Sequence, residues 1–125
     1  MRTETQRGNM KVVINKCYGG FSLSDKAIDR LKELAKKHND KELIKMIEEN
    51  KMSKRDSKIY ERKYWGLFGI DRTHPLLIKV VEELKEEANG RFAELKIVEI
   101  PDDVEWEIEE YDGIEWVSEK HRVWG

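Results

Sequence analysis

Apolar and polar positions change period several times along the chain, and each change marks an element. Residues 11–18 hold the β-branched run Val12-Val13-Ile14, the composition of a strand buried on both faces. Gly19-Gly20 end it. Ser22 or Ser24 then caps a helix with Asp25 at its positive end and Ala27, Ile28, Leu31, Leu34 and Ala35 as its apolar stripe. A short second helix over residues 41–50 aligns Leu43, Ile44 and Ile47. Residues 51–58 form a basic connector without an apolar period. In residues 59–70, Gly66 and Gly69 interrupt a run of rings and oppose a long helix. Thr73 caps a third helix with Pro75 in its first turn. Leu76, Leu77, Val80, Val81, Leu84 and Ala88 are its stripe, and Asn89-Gly90 ends it.

Beyond Gly90 the period becomes two. Ala93, Leu95 and Ile97 share a strand face, and Pro101 stops that strand. Residues 104–110 and 114–118 pair as a hairpin, for which two registers exist. A two-residue Asp112-Gly113 turn sets Ile108 against Val117 and sends Trp116 to the opposite face. A three-residue loop with a bulge at Gly113 pairs Ile108 with Trp116 and gathers Val104, Trp106, Ile108, Ile114 and Trp116 on one face. The second register is the one we expect. The predicted fold is α+β: one mixed, mainly antiparallel sheet of about four strands with two or three helices packed on it. Its order is β-α-α-(aromatic segment)-α-β-β-β. Residues 1–9 read as a flexible extension and residues 10–125 as one domain.

Charged residues make up 40% of the chain, but the 38% that are hydrophobic are periodic rather than diluted, so the composition is that of a folded domain. The charge is divided unevenly. Residues 1–65 hold 17 Lys/Arg against 10 Asp/Glu, and residues 66–125 hold 7 against 16. Neutralisation across one fold accounts for this, and association between copies is a further expectation. The single cysteine, Cys17, has no partner for an internal disulfide, and no Cys/His cluster has zinc spacing. We expect no metal and no cofactor, a buried structural role for Cys17, and a reducing cytoplasm. No apolar run nears the roughly 18 residues of a membrane span, and residues 1–10 lack the apolar core of a secretory signal.

Several segments hold residues with chemistry to offer. The turn Asn15-Lys16-Cys17-Tyr18-Gly19-Gly20-Phe21-Ser22, followed by Ser24, places glycines and hydroxyls ahead of a helix N-terminus, the layout of an anion site. It is neither a Walker loop nor a dinucleotide fingerprint. A plain chain reversal explains the same residues. Asp71-Arg72-Thr73-His74 stands at another helix start, where Arg72 offers charge and His74 a proton donor; a capped, solvated helix end is the simpler reading. The segment Lys54-Arg55, Lys58, Tyr60, Arg62-Lys63, Tyr64-Trp65 mixes cations with rings, as in nucleotide binding or in a core with a solvated rim. At the C-terminus, His121 lies beside Lys120 and Arg122, with Trp124 close by. Glu105, Glu107, Glu109, Glu115 and Glu119 share a hairpin face in the expected register. No helix carries the basic face of a sequence-specific DNA reader.

The runs KVVINKCYGGFSLS (residues 11–24) and NGRFAELKIVEIPDDVEWEIEEYDGIEWVSEKHRVW (residues 89–124) resemble small proteins that recur in tailed-phage and prophage genomes. The resemblance covers the first strand and helix start, then residues 72–124. It implies a phage-encoded protein acting in the bacterial host cytoplasm. Small phage proteins of this size include some that counter nucleotide-based host defence. The expected function is therefore sequestration of a phosphate-bearing signal such as a cyclic oligonucleotide or a cyclic ADP-ribose isomer. Asn15, Lys16, Tyr18, Gly19, Gly20, Phe21, Ser22 and Ser24 would hold phosphate, Arg72, Arg91 and Arg122 would neutralise charge, and Trp65, Phe68 or Trp124 would stack on a base. The alternatives are a metal-independent phosphodiesterase using His121 or His74, and an acidic inhibitor that blocks a host protein through its hairpin.

Overall fold

A computed structural model describes residues 9–119. Among these residues, four helices and two separate two-stranded antiparallel sheets make an α+β fold. The first sheet pairs β1 (Asn9–Asn15) with β2 (Leu95–Pro101), Val13 lying opposite Ile97. The second is the hairpin β3 (Trp106–Tyr111) and β4 (Ile114–Glu119). Val12, Val13 and Ile14 are buried, as their β-branched run requires. Val13 joins Ile28, Leu31, Ile47, Leu67, Leu77 and Val80 in one hydrophobic core. Each such side chain contributes roughly 1.5–3 kcal/mol of transfer free energy.

The single four-stranded sheet expected from the sequence is not formed, and the edge of β1 shows why. Lys16 N–H donates to the Glu94 carbonyl at 2.8 Å, so even-numbered residues of β1 bond to β2. The backbone groups of Val13 and Asn15 face the other way. There the Val13 N–H donates to the Arg72 carbonyl at 2.9 Å, and the Asn15 N–H to Glu115 Oε1 at 2.8 Å. A loop carbonyl and a carboxylate cover the edge that a third strand would have used. β4 therefore meets β1 through a side chain and not through a ladder.

The hairpin adopts the two-residue-turn register in place of the expected bulged one. Ile108 faces Val117, Glu109 faces Trp116 and Tyr111 faces Ile114, across a two-residue Asp112-Gly113 turn with φ of 55° and 94°. Both turn residues are left-handed, matching the twist of the flanking strands. Trp106, Ile108, Glu115 and Val117 thus share one face, while Glu107, Glu109, Ile114 and Trp116 share the other. The common acidic face expected for Glu105, Glu107, Glu109, Glu115 and Glu119 is split.

Helices α1 (Asp25–Lys37) and α2 (Lys41–Glu49) follow their apolar stripes. Ser24 caps α1, its Oγ accepting from the Ala27 N–H; Ser22 does not. Helix α3 (Lys54–Tyr60) occupies the expected connector. Ser53 caps it, and it buries no residue, so no apolar period announces it. Helix α4 (Pro75–Leu84) is capped by His74 in place of Thr73 and ends before Asn89. Lys85, at φ 54°, turns the chain into a 3-10 segment (Lys85–Ala88). Ser24 holds that segment, its Oγ donating to the Glu87 carbonyl at 2.6 Å and its N–H to the Ala88 carbonyl at 3.0 Å. Tertiary bonds to α1 override the helical period there. No described helix is long and apolar enough to cross a membrane.

Candidate functional site

The glycine turn lies where three loops meet, and their backbones fill it. Gly19 and Gly20 have φ of 112° and 93°, conformations that glycine alone adopts cheaply. A Cβ on Gly113 would stand 2.6 Å from the backbone nitrogens of both Gly19 and Gly20, and one on Gly19 would stand 2.7 Å from Phe92 Cβ. The turn of the hairpin thus rests on the N–H groups that a phosphate would need. Helix α1 begins only at Asp25, beyond the intervening Phe21-Ser22-Leu23-Ser24. The turn and the helix N-terminus, read together from the sequence, are separate features.

Asn15, Ser22 and Arg72 are consumed within the fold. Asn15 is fully buried. Its Nδ2 donates to the Cys17 carbonyl at 2.6 Å and the Gly113 carbonyl at 2.7 Å, and its Oδ1 accepts from the N–H groups of Glu94 and Cys17. Ser22 is buried, with its carbonyl accepting from the Gly90 N–H. Lys16 and Tyr18 are exposed, and Cys17 is half-buried where burial was expected. Arg72 sits with its guanidinium 3.6 Å from the centroid of the buried Phe21 ring and donates to both oxygens of Glu115, at 2.6 and 2.9 Å. This bidentate pair is largely shielded from water. An open cleft of about 460 Å³ beside the turn is lined by Arg72, Glu110 and Glu115 among others, so its one cation is already neutralised. His74 is committed as well. Its Nδ1 accepts the Leu76 N–H at 3.1 Å, and its Nε2 lies 3.1 Å from Asp40. A ring held at both nitrogens is a cap, not a free proton donor.

A second recess brings two arginines together with two carboxylates, Asp25 and Glu61. Ser24, Asp25, Tyr60, Glu61, Arg62, Asn89, Gly90 and Arg91 line about 340 Å³ at the start of α1. The ion-paired arginines of the described residues are Arg30 and Arg72; Arg62 and Arg91 form no ion pair. Arg62 Nη2 is buried and has no hydrogen-bond partner. A buried donor left unpaired costs about 1–3 kcal/mol, more when it is charged. The Asp25 carboxylate is engaged elsewhere, accepting from the N–H groups of Lys63 and Tyr64 at 2.8 and 3.3 Å. Tyr60 is half exposed and meets Trp65 edge to face, with ring centroids 5.7 Å apart. Phe92 lies under the Arg91 guanidinium.

Of the residues singled out from sequence, this recess brings together Ser24 and Arg91. It adds Arg62 and Tyr60, which stand in the basic-aromatic segment and were not placed in the phosphate site. The signal was the mixture of cations and rings in residues 54–65; the missing part was the turn at Glu61, in the left-handed region at φ 56°, that follows Tyr60 and precedes Arg62. His121, Arg122 and Trp124 lie outside the described residues. Compared with known proteins, the chain matches no family model, no curated protein and no solved structure.

Proposed function

We propose that the protein binds and holds a phosphate-bearing small molecule in the recess between Arg62 and Arg91. The observation that carries this reading is the pair of arginines without carboxylate partners, one with a buried unsatisfied nitrogen, around one cavity. Two guanidinium forks match the geometry of phosphate oxygens, and neither must first release an internal partner. The α1 N-terminus adds its dipole from the same side. Tyr60, with Trp65 behind it, offers a ring face to a base. The recess falls within the range of about 300–1,000 Å³ usual for small-ligand sites.

A nucleotide-derived signal has the phosphate and the base that these groups fit. With the phage-like sequence runs, this favours sequestration of a cyclic oligonucleotide or cyclic ADP-ribose isomer in the bacterial cytoplasm. No histidine or cysteine lines the recess, which favours holding over cleavage. The test is ligand depletion. Purified protein is mixed with a panel of cyclic di- and trinucleotides and cyclic ADP-ribose isomers, and the small-molecule fraction is analysed before and after heating. One ligand should vanish and return intact, and Arg62→Ala with Arg91→Ala should abolish the depletion. A new product peak would make the protein a phosphodiesterase. No depletion across the panel would remove the reading.

A further inference from the structure

The two edges of the first sheet are unequal. The outer edge of β1 is covered by Arg72 and Glu115. Along β2, by the same alternation, the backbone groups of Leu95, Ile97 and Glu99 point away from β1. Leu95 N–H donates to Asn89 Oδ1 at 2.9 Å. The N–H groups of Ile97 and Glu99 have no partner among the described residues.

A groove of about 740 Å³ runs between this edge and α4. Val81, Ala93, Leu95 and Ile97 form its apolar lining. Its charged residues are Glu82, Glu86 and Glu94 against Lys85 alone. Glu82 is paired with Lys11, while Glu86 and Glu94 form no ion pair among the described residues. We propose that the free edge of β2 and this groove bind an extended segment of another protein by strand addition, with apolar and basic residues on its groove-facing side. Backbone bonds to Ile97 and Glu99 would give affinity, and the glutamates would select for basic residues.

A second copy of this chain fits the edge poorly. Antiparallel self-pairing centred on Ile97 sets Leu95 against Glu99 and brings two acidic grooves together, which like charges oppose. A basic heterologous strand meets neither obstacle.

The probe is a fluorescein-labelled nonapeptide with valine at its third, fifth and seventh positions, threonine between them, and lysine at both ends. A control peptide carries glutamate at both ends. By fluorescence anisotropy at low salt, the lysine peptide should bind about tenfold or more tightly than the control, and the difference should shrink as salt is added. Glu99→Pro removes one outward N–H without touching the ladder to β1, so the fold should persist while lysine-peptide affinity falls about tenfold. The surface pair Glu86→Lys and Glu94→Lys should reverse the preference between the peptides. Equal affinity for both peptides, or an unchanged affinity in Glu99→Pro with native circular dichroism, overturns the proposal. So does a concentration-dependent dimer that Glu99→Pro abolishes, because the occupant would then be a second copy.

Discussion

At the glycine turn, Arg72 donates to both oxygens of Glu115, at 2.6 and 2.9 Å, while stacked on Phe21. At the recess by α1, Arg62 and Arg91 donate to no carboxylate among the described residues, and one Arg62 nitrogen is buried without a partner. Both regions contain arginine, a phenyl or phenol ring, glycine and serine. The first pairs its arginine with a carboxylate and its buried asparagine with backbone groups inside the chain; the second sets Arg62 and Arg91, which form no ion pair among the described residues, around a cavity that Asp25 and Glu61 also line. An anion entering the first must break a bidentate pair and displace the Gly113 backbone. An anion entering the second meets two arginines that have no carboxylate to release, with Asp25 and Glu61 on the same lining. Glycines ahead of a helix are therefore a weaker sign of an anion site than unspent charge is.

The sharpest way to test the internal role of the first region is to remove one member of its pair. Glu115→Ala leaves the largely buried Arg72 unpaired and uncovers the Asn15 N–H. Loss of one partner of a buried pair typically costs about 3–5 kcal/mol. Urea unfolding should show a loss near about 3 kcal/mol, with the thermal midpoint lower by roughly 10 °C. A stability within about 0.5 kcal/mol of the parent would mean that the pair is solvated and the turn less committed than its geometry implies.

Next in size is Gly113→Ala. The new methyl would meet the Gly19 and Gly20 nitrogens at 2.6 Å, and alanine is strained at φ 94°. A loss of about 2 kcal/mol is expected in the same unfolding assay. If stability holds and the depletion assay for nucleotide ligands fails instead, the glycine turn is the binding site after all and the contrast between the regions reverses.

Much of the core was legible in the sequence. The stripe of α1 and the run Val12-Val13-Ile14 are buried where their periods place them, as are Leu43, Ile47, Leu77, Val80 and Val81, while Ile44, Leu76 and Leu84 are partly buried against the same core. The errors have physical causes. The register that puts Trp106 and Trp116 together runs against the Asp112-Gly113 dipeptide, whose two left-handed residues decide the turn. Trp116 remains 39% exposed on the other face. Helix α3 buries nothing, so only its Ser53 cap could have shown it. The pairing of Arg72 with Glu115 joins residues 43 apart in sequence, and no local pattern encodes it. Arg62 and Arg91 are likewise brought together only by the packing of the loops that follow α3 and the 3-10 segment.

Binding, not stability, should respond at the second region. Arg91→Ala removes an exposed guanidinium that holds no carboxylate, so unfolding should change by no more than about 0.5 kcal/mol. A charge-assisted bond to phosphate is worth about 1.5–3 kcal/mol, so affinity for the retained ligand should drop roughly 10- to 100-fold. Arg91→Lys keeps the charge without the fork and should recover part of that loss. Calorimetry with the ligand found by depletion measures both. Equal binding by parent and Arg91→Ala would leave the recess without a role.

The smallest effect concerns Asp71, which shapes the turn leading into Arg72. Its Oδ1 accepts from the Thr73 N–H at 2.9 Å and the Thr73 hydroxyl at 2.8 Å. Those bonds, the backbone one first, hold its carboxyl below the ordinary value of 3.8. A depressed native value means that the charged form is favoured by folding. The stabilisation is therefore complete above 3.8 and is lost as pH falls below it toward the native value. The side chain is exposed, so after solvent screening about 0.5 kcal/mol is expected. Asp71→Asn keeps an acceptor and loses the charge. Its urea midpoint should lie slightly below that of the parent at pH 7, and the gap should narrow as pH falls below 3.8. Because every other carboxylate titrates in both proteins, the difference between them isolates Asp71. A gap that persists unchanged in acid would assign the loss to the geometry of the turn, and the order of the Arg72 loop would then owe nothing to this charge.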